Sequence, residues 1–449
     1  MPPKGVCRHV LIVALPQPFP IDRAPIGEDR EILLPPRVDS TPSPMPRSGE
    51  GTRLNHPERM PATKRPIRVA AKSVATLSGM RILFATPHLF PDVVGGSGLH
   101  SVHLIRHLAG AGHELDVLHP YPTRHFPDLP SVTEHTLPKG RHVLEFARHV
   151  DRWTGSRTWD AGYSDGLPLV RYLRRRRFPC IVNDHTWREF QPQYFRGFLR
   201  HEPRKALIDL ALFRPRLWAR RHLARNSDYA VSMGGLLDEN LLQQCNLAPE
   251  RILNLPNAVD VRAPALDAEP TPAGDPSRLL YVGTISYRKG IHILMDAMRR
   301  LPDLNVRVRL VGDGPMADAV RSANLENVEL AGPRFGADLA REYRQAGAFV
   351  YPSLHEGMPT ALLEAMWHCL PLVATDAGAN RLLATHQTGQ LIPPNDAAAL
   401  EEAIRHLDVQ TTTHRRTQGR AGRDLVQDQY SWDVVGPMYE EAFRTAAAG

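Results

Sequence analysis

The sequence has only four cysteines in 449 residues, and they are scattered at Cys7, Cys180, Cys245 and Cys369. No pair has metal-ligand spacing and no disulfide framework is implied, so the thiols read as buried groups in a reducing compartment. Long hydrophobic runs are also missing. No apolar stretch approaches the roughly 20 residues that a membrane-spanning helix needs. The run from Val10 to Leu15 is far too short, and Pro16, Pro18 and Pro20 interrupt the chain directly after it. A signal-peptide core is therefore not expected, and a cytoplasmic protein is. Acidic residues are scarce in one region. Between Arg171 and Arg225 there are fifteen Arg or Lys and four acids, with Phe190, Tyr194, Phe198, Leu199, Phe213, Leu217 and Trp218 interleaved. Basic residues beside apolar anchors suit peripheral contact with the inner face of an anionic membrane, or a phosphate-bearing acceptor. A merely solvated basic surface is the alternative. Nucleic acid is not expected, because no recognised binding motif accompanies the charge.

The length suits two domains of about 150–200 residues each. Residues 1–79 contain fourteen prolines and no hydrophobic periodicity. Such a segment buries too little apolar surface to offset its ordering entropy. It reads as a disordered extension or a mis-called start, with the functional chain beginning near Met80.

From Met80 the pattern alternates strand and helix. Ile82–Ala85 is a short buried strand, followed by a loop of Gly95, Gly96, Ser97 and Gly98. Leu99, Val102, Ile105 and Leu108 then recur at helical spacing, and Leu115–Leu118 is the next strand. This is a βαβ unit of a parallel, doubly wound sheet. Further strands are expected at 180–182, 229–232 and 252–255. Residues 263–277, rich in Pro, Ala and Asp, read as a linker between a domain of residues 80–262 and one of residues 278–428. The second domain restarts the alternation at 279–282, 306–311, 348–351 and 372–374. The expected fold is α/β, with two Rossmann-like domains facing across a deep cleft, where ligands gather at the carboxyl ends of the strands.

The sharpest local feature runs from His355 through Glu356, Gly357, Met358, Pro359 and Thr360 to Glu364. A strand ends at Ser353, a short loop carries Glu356, and a helix is expected to begin near Pro359, which suits a first turn. The free N–H groups and positive end of such a helix form an anion site, and a diphosphate is its natural occupant. Glu356 before the tip and Glu364 one turn inside could face one ligand, the first holding sugar hydroxyls and the second a ribose. A second turn, Gly283–Gly290, comes after a strand and opens a helix. Its Arg288 and Lys289 can neutralise phosphate.

Taken together, these residues resemble glycosyltransferase family 4, the two-domain GT-B type, over about Met80 to the end. The resemblance rests on Glu356 and Glu364, on Arg288-Lys289-Gly290 after Tyr281-Val282-Gly283, and on Val311 through Pro315. Pro256 through Asp260, the Gly95-Gly96 loop, Gly112-His113 and Ser431-Trp432-Asp433 complete it. It implies a retaining transferase that takes a nucleotide-diphosphate sugar as co-substrate and passes the sugar to a saccharide or lipid-linked acceptor, as in envelope polysaccharide synthesis. By the same resemblance, Glu356 holds the transferring sugar, Glu364 the ribose, and Lys289 with Arg288 the diphosphate. The Gly96 loop approaches those phosphates from the other domain, His185 lies beside the donor sugar, and a final helix within 429–449 crosses back to the first domain. No metal and no other cofactor is implied.

The sequence departs from the family pattern at Thr284, Ala258, Cys369 and the stretch Ala379–Leu382. The last departure puts the donor's identity in doubt and leaves open a catalytically silent sugar- or membrane-binding protein on the same fold. A synthase or phosphorylase acting on soluble sugars is another option. A nicotinamide dehydrogenase is the remaining rival, because Gly96-x-Gly98 with Asp116 twenty residues on nearly matches a dinucleotide fingerprint. Asp116, however, falls in mid-strand.

Overall fold

The computed structural model describes residues 79–449 except 94, 141–142, 171–177, 186–191, 235–240, 242, 244, 263–274 and 449. The amino-terminal extension and most of the expected linker lie outside the described residues, as does the arginine run 174–177.

Two parallel sheets organise the chain. The first contains β1 (Arg81–Ala85), β2 (Glu114–His119), β3 (Val132–Thr136), β4 (Ala161–Asp165), β5 (Cys180–Asn183), β6 (Tyr229–Ser232) and β7 (Ile252–Asn254), in the order β3-β2-β1-β4-β5-β6-β7. The second contains β8 (Asp275–Val282), β9 (Arg307–Val311), β10 (Val328–Gly332), β11 (Ala346–Tyr351), β12 (Leu372–Thr375) and β13 (Gly389–Ile392), in the order β10-β9-β8-β11-β12-β13. Neighbouring strands in both sheets pair in parallel. In each, the strand order reverses beside the first strand, β1 or β8. That reversal opens a crevice at the strands' carboxyl ends, where ligands enter doubly wound sheets.

Helix α1 (Gly96–Gly110) comes after β1; of the stripe expected from its periodicity it buries Ile105 and Leu108, while Leu99 and Val102 are half-buried and Leu104 is buried in addition. Next are α2 (Val143–Thr154), α3 (Pro192–His201) and α4 (Pro203–Asn226). Around the second sheet lie α5 (Ile291–Arg299), α6 (Ala317–Ala323), α7 (Gly336–Gln345), α8 (Thr360–Trp367), α9 (Asn380–Leu383), α10 (Ala397–Val409) and α11 (Thr412–Gln429). The last helix, α12 (Trp432–Ala448), returns to the first sheet. Its Trp432, Val435, Tyr439 and Phe443 are buried in one cluster with Ile82, Phe84 and Tyr163. The chain reaches it through a short parallel bridge: Val259 N–H donates to Tyr430 O at 2.8 Å and Trp432 N–H to Val259 O at 3.1 Å.

Two boundaries differ from expectation. Strand β8 begins at Asp275 instead of near Leu279, because it pairs with β11 as far back as Ala346 opposite Asp275. Pro359 caps α8 from outside, in extended backbone, and Thr360 is the first helical residue.

Candidate active site

The crevice between the two sheets holds a cavity of about 660 Å³. All ten residues singled out from the sequence line it: Gly96 and His185 from the first lobe, and Arg288, Lys289, Glu356, Gly357, Met358, Pro359, Thr360 and Glu364 from the second. The lobes meet at the tip of α8. A methyl group added to Gly96 would sit 2.6 Å from Thr360 Oγ1, and one added to Gly357 would sit 1.9 Å from His185 O. Asn257 after β7 donates from Nδ2 to Met358 O at 2.6 Å. Glycine is required at both crossing points because backbone or side chain from the opposite lobe occupies the Cβ position.

On one side of the tip lies a buried ion pair. Lys289 Nζ is 2.6 Å from Glu356 Oε1 and 2.6 Å from Tyr351 Oη, and Ser353 Oγ donates to the same carboxylate. Burial alone would raise the Glu356 pKa, but the Lys289 and Arg288 cations override it and hold the group below its ordinary value. The pair is therefore ionised at neutral pH. On the other side, Glu364 accepts a hydrogen bond from Tyr343 Oη at 2.7 Å. Burial outweighs that bond and pushes the Glu364 pKa up to about 7. One helix tip thus separates a carboxylate held below its ordinary pKa from one that titrates near neutrality.

His185 has a neighbour that the sequence pattern did not reveal. Its Nε2 lies 3.1 Å from Asp165 Oδ1, at the carboxyl end of β4. The other carboxylate oxygen of Asp165 accepts from Thr86 Oγ1 at 2.7 Å and Ser101 Oγ at 3.1 Å, and His88 Nδ1 lies 3.2 Å away. Burial would raise the Asp165 pKa, but His88 and His185 keep it well below the usual range. The buried carboxylate thus stands within ion-pair distance of the imidazole that faces the cleft, without a well-directed hydrogen bond to it. Asn257, Asp313 and Tyr351 also line the cavity without having been singled out as site residues.

A second cavity of about 350 Å³ opens beside the first and shares Arg288 with it. Tyr194, Phe198, Phe213, Leu217, Arg216 and Arg220 of α3 and α4 form much of its wall. These helices reach the other lobe through Glu202, whose Oε1 accepts from Tyr287 N at 2.7 Å.

The dinucleotide reading fails on Asp116. Its carboxylate is bound to Arg81 Nη2 at 2.8 Å, His135 Nε2 at 2.8 Å and Trp159 Nε1 at 2.7 Å. Although burial opposes it, these bonds hold its pKa down to about 2. It serves the packing of β1, β2 and β3 and is not among the residues lining the cavity.

Two family models match the chain in tandem. Glycosyltransferase Family 4 covers residues 94–263, and Glycosyl transferases group 1 covers residues 276–408. The chain belongs to glycosyltransferase family 4. Relatives of this family 4 enzyme include the glycogen synthase of Mycobacterium tuberculosis, 27% identical over 82% of this chain and 96% of that protein. The phosphatidyl-myo-inositol mannosyltransferase of Mycobacterium leprae is 27% identical over 82% of this chain and 97% of its own length. Among solved structures, the sucrose-phosphate synthase of Thermosynechococcus elongatus superposes with a TM-score of 0.66 at 21% identity, covering 82% of this chain and 99% of that one. Anabaena HepE in complex with UDP and glucose does so with 0.62 at 19%, covering 82% and 100%. The glycosyltransferase therefore has the GT-B fold, two Rossmann-like domains with the cleft between them.

Proposed function

We propose that this glycosyltransferase takes its sugar from a nucleotide-diphosphate donor and transfers it with retention of anomeric configuration. The observation that carries the reading is the tip of α8, flanked in one cleft by the Lys289–Glu356 pair and by Glu364. The N–H groups at that tip, with Lys289 and Arg288, bind the diphosphate and stabilise the charge it gains on leaving. Glu356 accepts hydrogen bonds from sugar hydroxyls, and Glu364 accepts them from the ribose. His185, beside Asp165, lies on the sugar's side of the cleft. The acceptor hydroxyl attacks the anomeric carbon from the face the phosphate leaves, the carbon–oxygen bond to the diphosphate breaks, and the departing phosphate oxygen takes the acceptor's proton. Nothing in this sequence of events calls for a metal.

Glu364 gives the reading a pH signature. Below pH 7 its carboxyl holds a proton in the donor-free enzyme, and above pH 7 it is an acceptor for both ribose hydroxyls. Donor affinity is therefore expected to rise between pH 6 and pH 8, by at most about tenfold per unit. A panel of nucleotide sugars followed by thermal shift at both pH values checks this, because a bound donor raises the melting temperature with the logarithm of its saturation. A donor that stabilises equally at both pH values, or equally pH-dependent binding in Glu364→Gln, would remove Glu364 from the ribose site. Stabilisation by no nucleotide sugar would overturn the donor class and favour the silent binding protein.

The second cavity is the proposed acceptor side. Next to it α4 exposes Leu207, Ile208, Leu210, Leu212 and Trp218 together with Arg204, Arg214, Arg216 and Arg221. Among the described residues no helix is long and apolar enough to cross a membrane. Exposed apolar anchors between arginines fit a helix lying on an anionic bilayer, which supports a lipid-linked or polymeric envelope acceptor and a place on the inner membrane face. The protein is expected to co-sediment with phosphatidylglycerol vesicles at low salt and to release at high salt. Trp218→Ala combined with Arg214→Glu should lower that binding at least about tenfold. Equal sedimentation with phosphatidylcholine, or no loss in the variant, would refute this surface.

A further inference from the structure

Outside the cleft, at the carboxyl end of β2 and β3, three side chains converge. His119 ends β2, Glu134 lies within β3, and His125 lies in the connection between them. Their side chains are 1%, 5% and 1% exposed. His119 Nε2 is 3.2 Å from Glu134 Oε2, and His125 Nδ1 is 3.4 Å from the same oxygen. All three ligand-type atoms lie within 4.8 Å of one another. Neither ring nitrogen makes a well-directed hydrogen bond. Buried polar atoms without such bonds are costly, and the arrangement calls for something that satisfies them together.

We propose that His119, His125 and Glu134 form a three-ligand site for a divalent cation of the zinc type, which ties the β2–β3 connection to the loop that carries Gly96. Bonds of about 2.0–2.1 Å in a tetrahedron place neighbouring ligand atoms about 3.3 Å apart, which matches both distances to Glu134. Two imidazoles and one carboxylate are a donor set for zinc rather than for magnesium or calcium, which take oxygen. His125 is already oriented as a ligand. Its Nε2 is 2.8 Å from Asp92 Oδ2, and in the tautomer that keeps the ring proton on Nε2 toward Asp92 the Nδ1 lone pair faces Glu134. Carboxylate–histidine–metal relays have this form. Glu134 is held in place by the amides of His125 and Phe126, at 2.8 and 3.0 Å. His119 must adjust. Its Nδ1 accepts from Tyr121 N at 3.3 Å, and coordination through Nε2 moves the ring proton to Nδ1 and opens that contact, which lowers affinity.

The position gives the ion a consequence. Asp92 belongs to the connection from β1 to α1, whose Phe90 and Gly95 line the cleft together with Gly96, the first residue of α1. Tyr121 Oη also bonds to Pro87 O in the same connection. A cation at His125 braces this segment from behind, outside the transfer chemistry.

The test uses the full chain without an affinity tag, stripped with EDTA and titrated calorimetrically with zinc chloride. One equivalent is expected to bind with a Kd below micromolar, and Co2+ in its place is expected to give the visible absorption of a tetrahedral site. His125→Ala and Glu134→Gln should abolish both. Asp92→Asn, a change at an exposed residue that leaves the three ligands intact, should weaken zinc about 10–100-fold. Failure of the wild type to take up a stoichiometric ion overturns the proposal. Unchanged uptake in Asp92→Asn and His125→Ala also overturns it. No donor or acceptor enters the assay, so its outcome is independent of the transfer reaction.

Discussion

Lys289→Ala and Glu356→Gln are each expected to lower turnover at least about tenfold, a loss of about 1.4 kcal/mol or more of transition-state stabilisation. The two substitutions should differ in kind. Removing the ammonium strands Glu356 as a carboxylate that is 5% exposed, with Ser353 left to satisfy it. Breaking a buried pair from one side costs about 3–5 kcal/mol, so Lys289→Ala should also lower the melting temperature. It should weaken donor binding as well, since the proposed function sets the same cation against the diphosphate. Glu356→Gln keeps the shape and can still accept from Lys289 but leaves that buried ammonium without its counter-charge, so it should lower kcat with a smaller fall in melting temperature than Lys289→Ala. Initial rates at saturating donor, with melting curves on the same preparations, separate these patterns. Normal kcat in either variant counts directly against the role given to that residue.

Gly290→Ala is the second large effect. Gly290 caps α5 with φ +73°, a left-handed conformation, and an added Cβ would stand 1.8 Å from Pro352 O. The left-handed backbone costs a non-glycine residue about 1–2 kcal/mol. The overlap forces the end of β11 to move, and the sum is on the order of 3 kcal/mol. The expected fall in melting temperature is about 4 °C. Gly110→Ala is the matched control. It is helical, exposed and has open space at its Cβ position, so it should be neutral or slightly stabilising. A Gly290→Ala protein that melts with the wild type would show that the turn relaxes freely, and Lys289 would then lack the rigid seat described here.

What could be read in the sequence depended on how local the signal was. Strands β1, β2, β6 and β11 are short apolar runs bounded by turns, and α1 shows a clean helical stripe, so the alternating architecture was legible. Glu356 and Glu364 were legible because one loop and one helical turn relate them. Strand β4 was not. Its sequence Ala-Gly-Tyr-Ser-Asp has no apolar run, yet every residue is buried. With β4 unseen, Asp165 could not be placed beside His185, because only the pairing of β4 with β5 brings them together. Edge strands β3 and β10 escaped for a related reason, since Val-Thr-Glu-His-Thr and Val-Glu-Leu-Ala-Gly mix charge into half-exposed positions. The meeting of His119, His125 and Glu134 depends on the same unseen β3. The dinucleotide-like glycines were a true local signal for a tight turn into a helix, and only the partners of Asp116 dismissed the ribose contact.

The bridge between Val259 and Ser431 has a mechanical consequence. The polypeptide passes from one lobe to the other after β7 and returns before α12, and backbone hydrogen bonds hold the two crossings side by side. Two adjacent tethers behave as the pin of a door: rotation about their common line stays soft, while sliding and twisting stretch one tether against the other. A swing about that pin is the relative motion that such tethers would resist least. Such a swing would part Gly96 from Thr360 and Gly357 from His185 together, because both approaches span the two lobes.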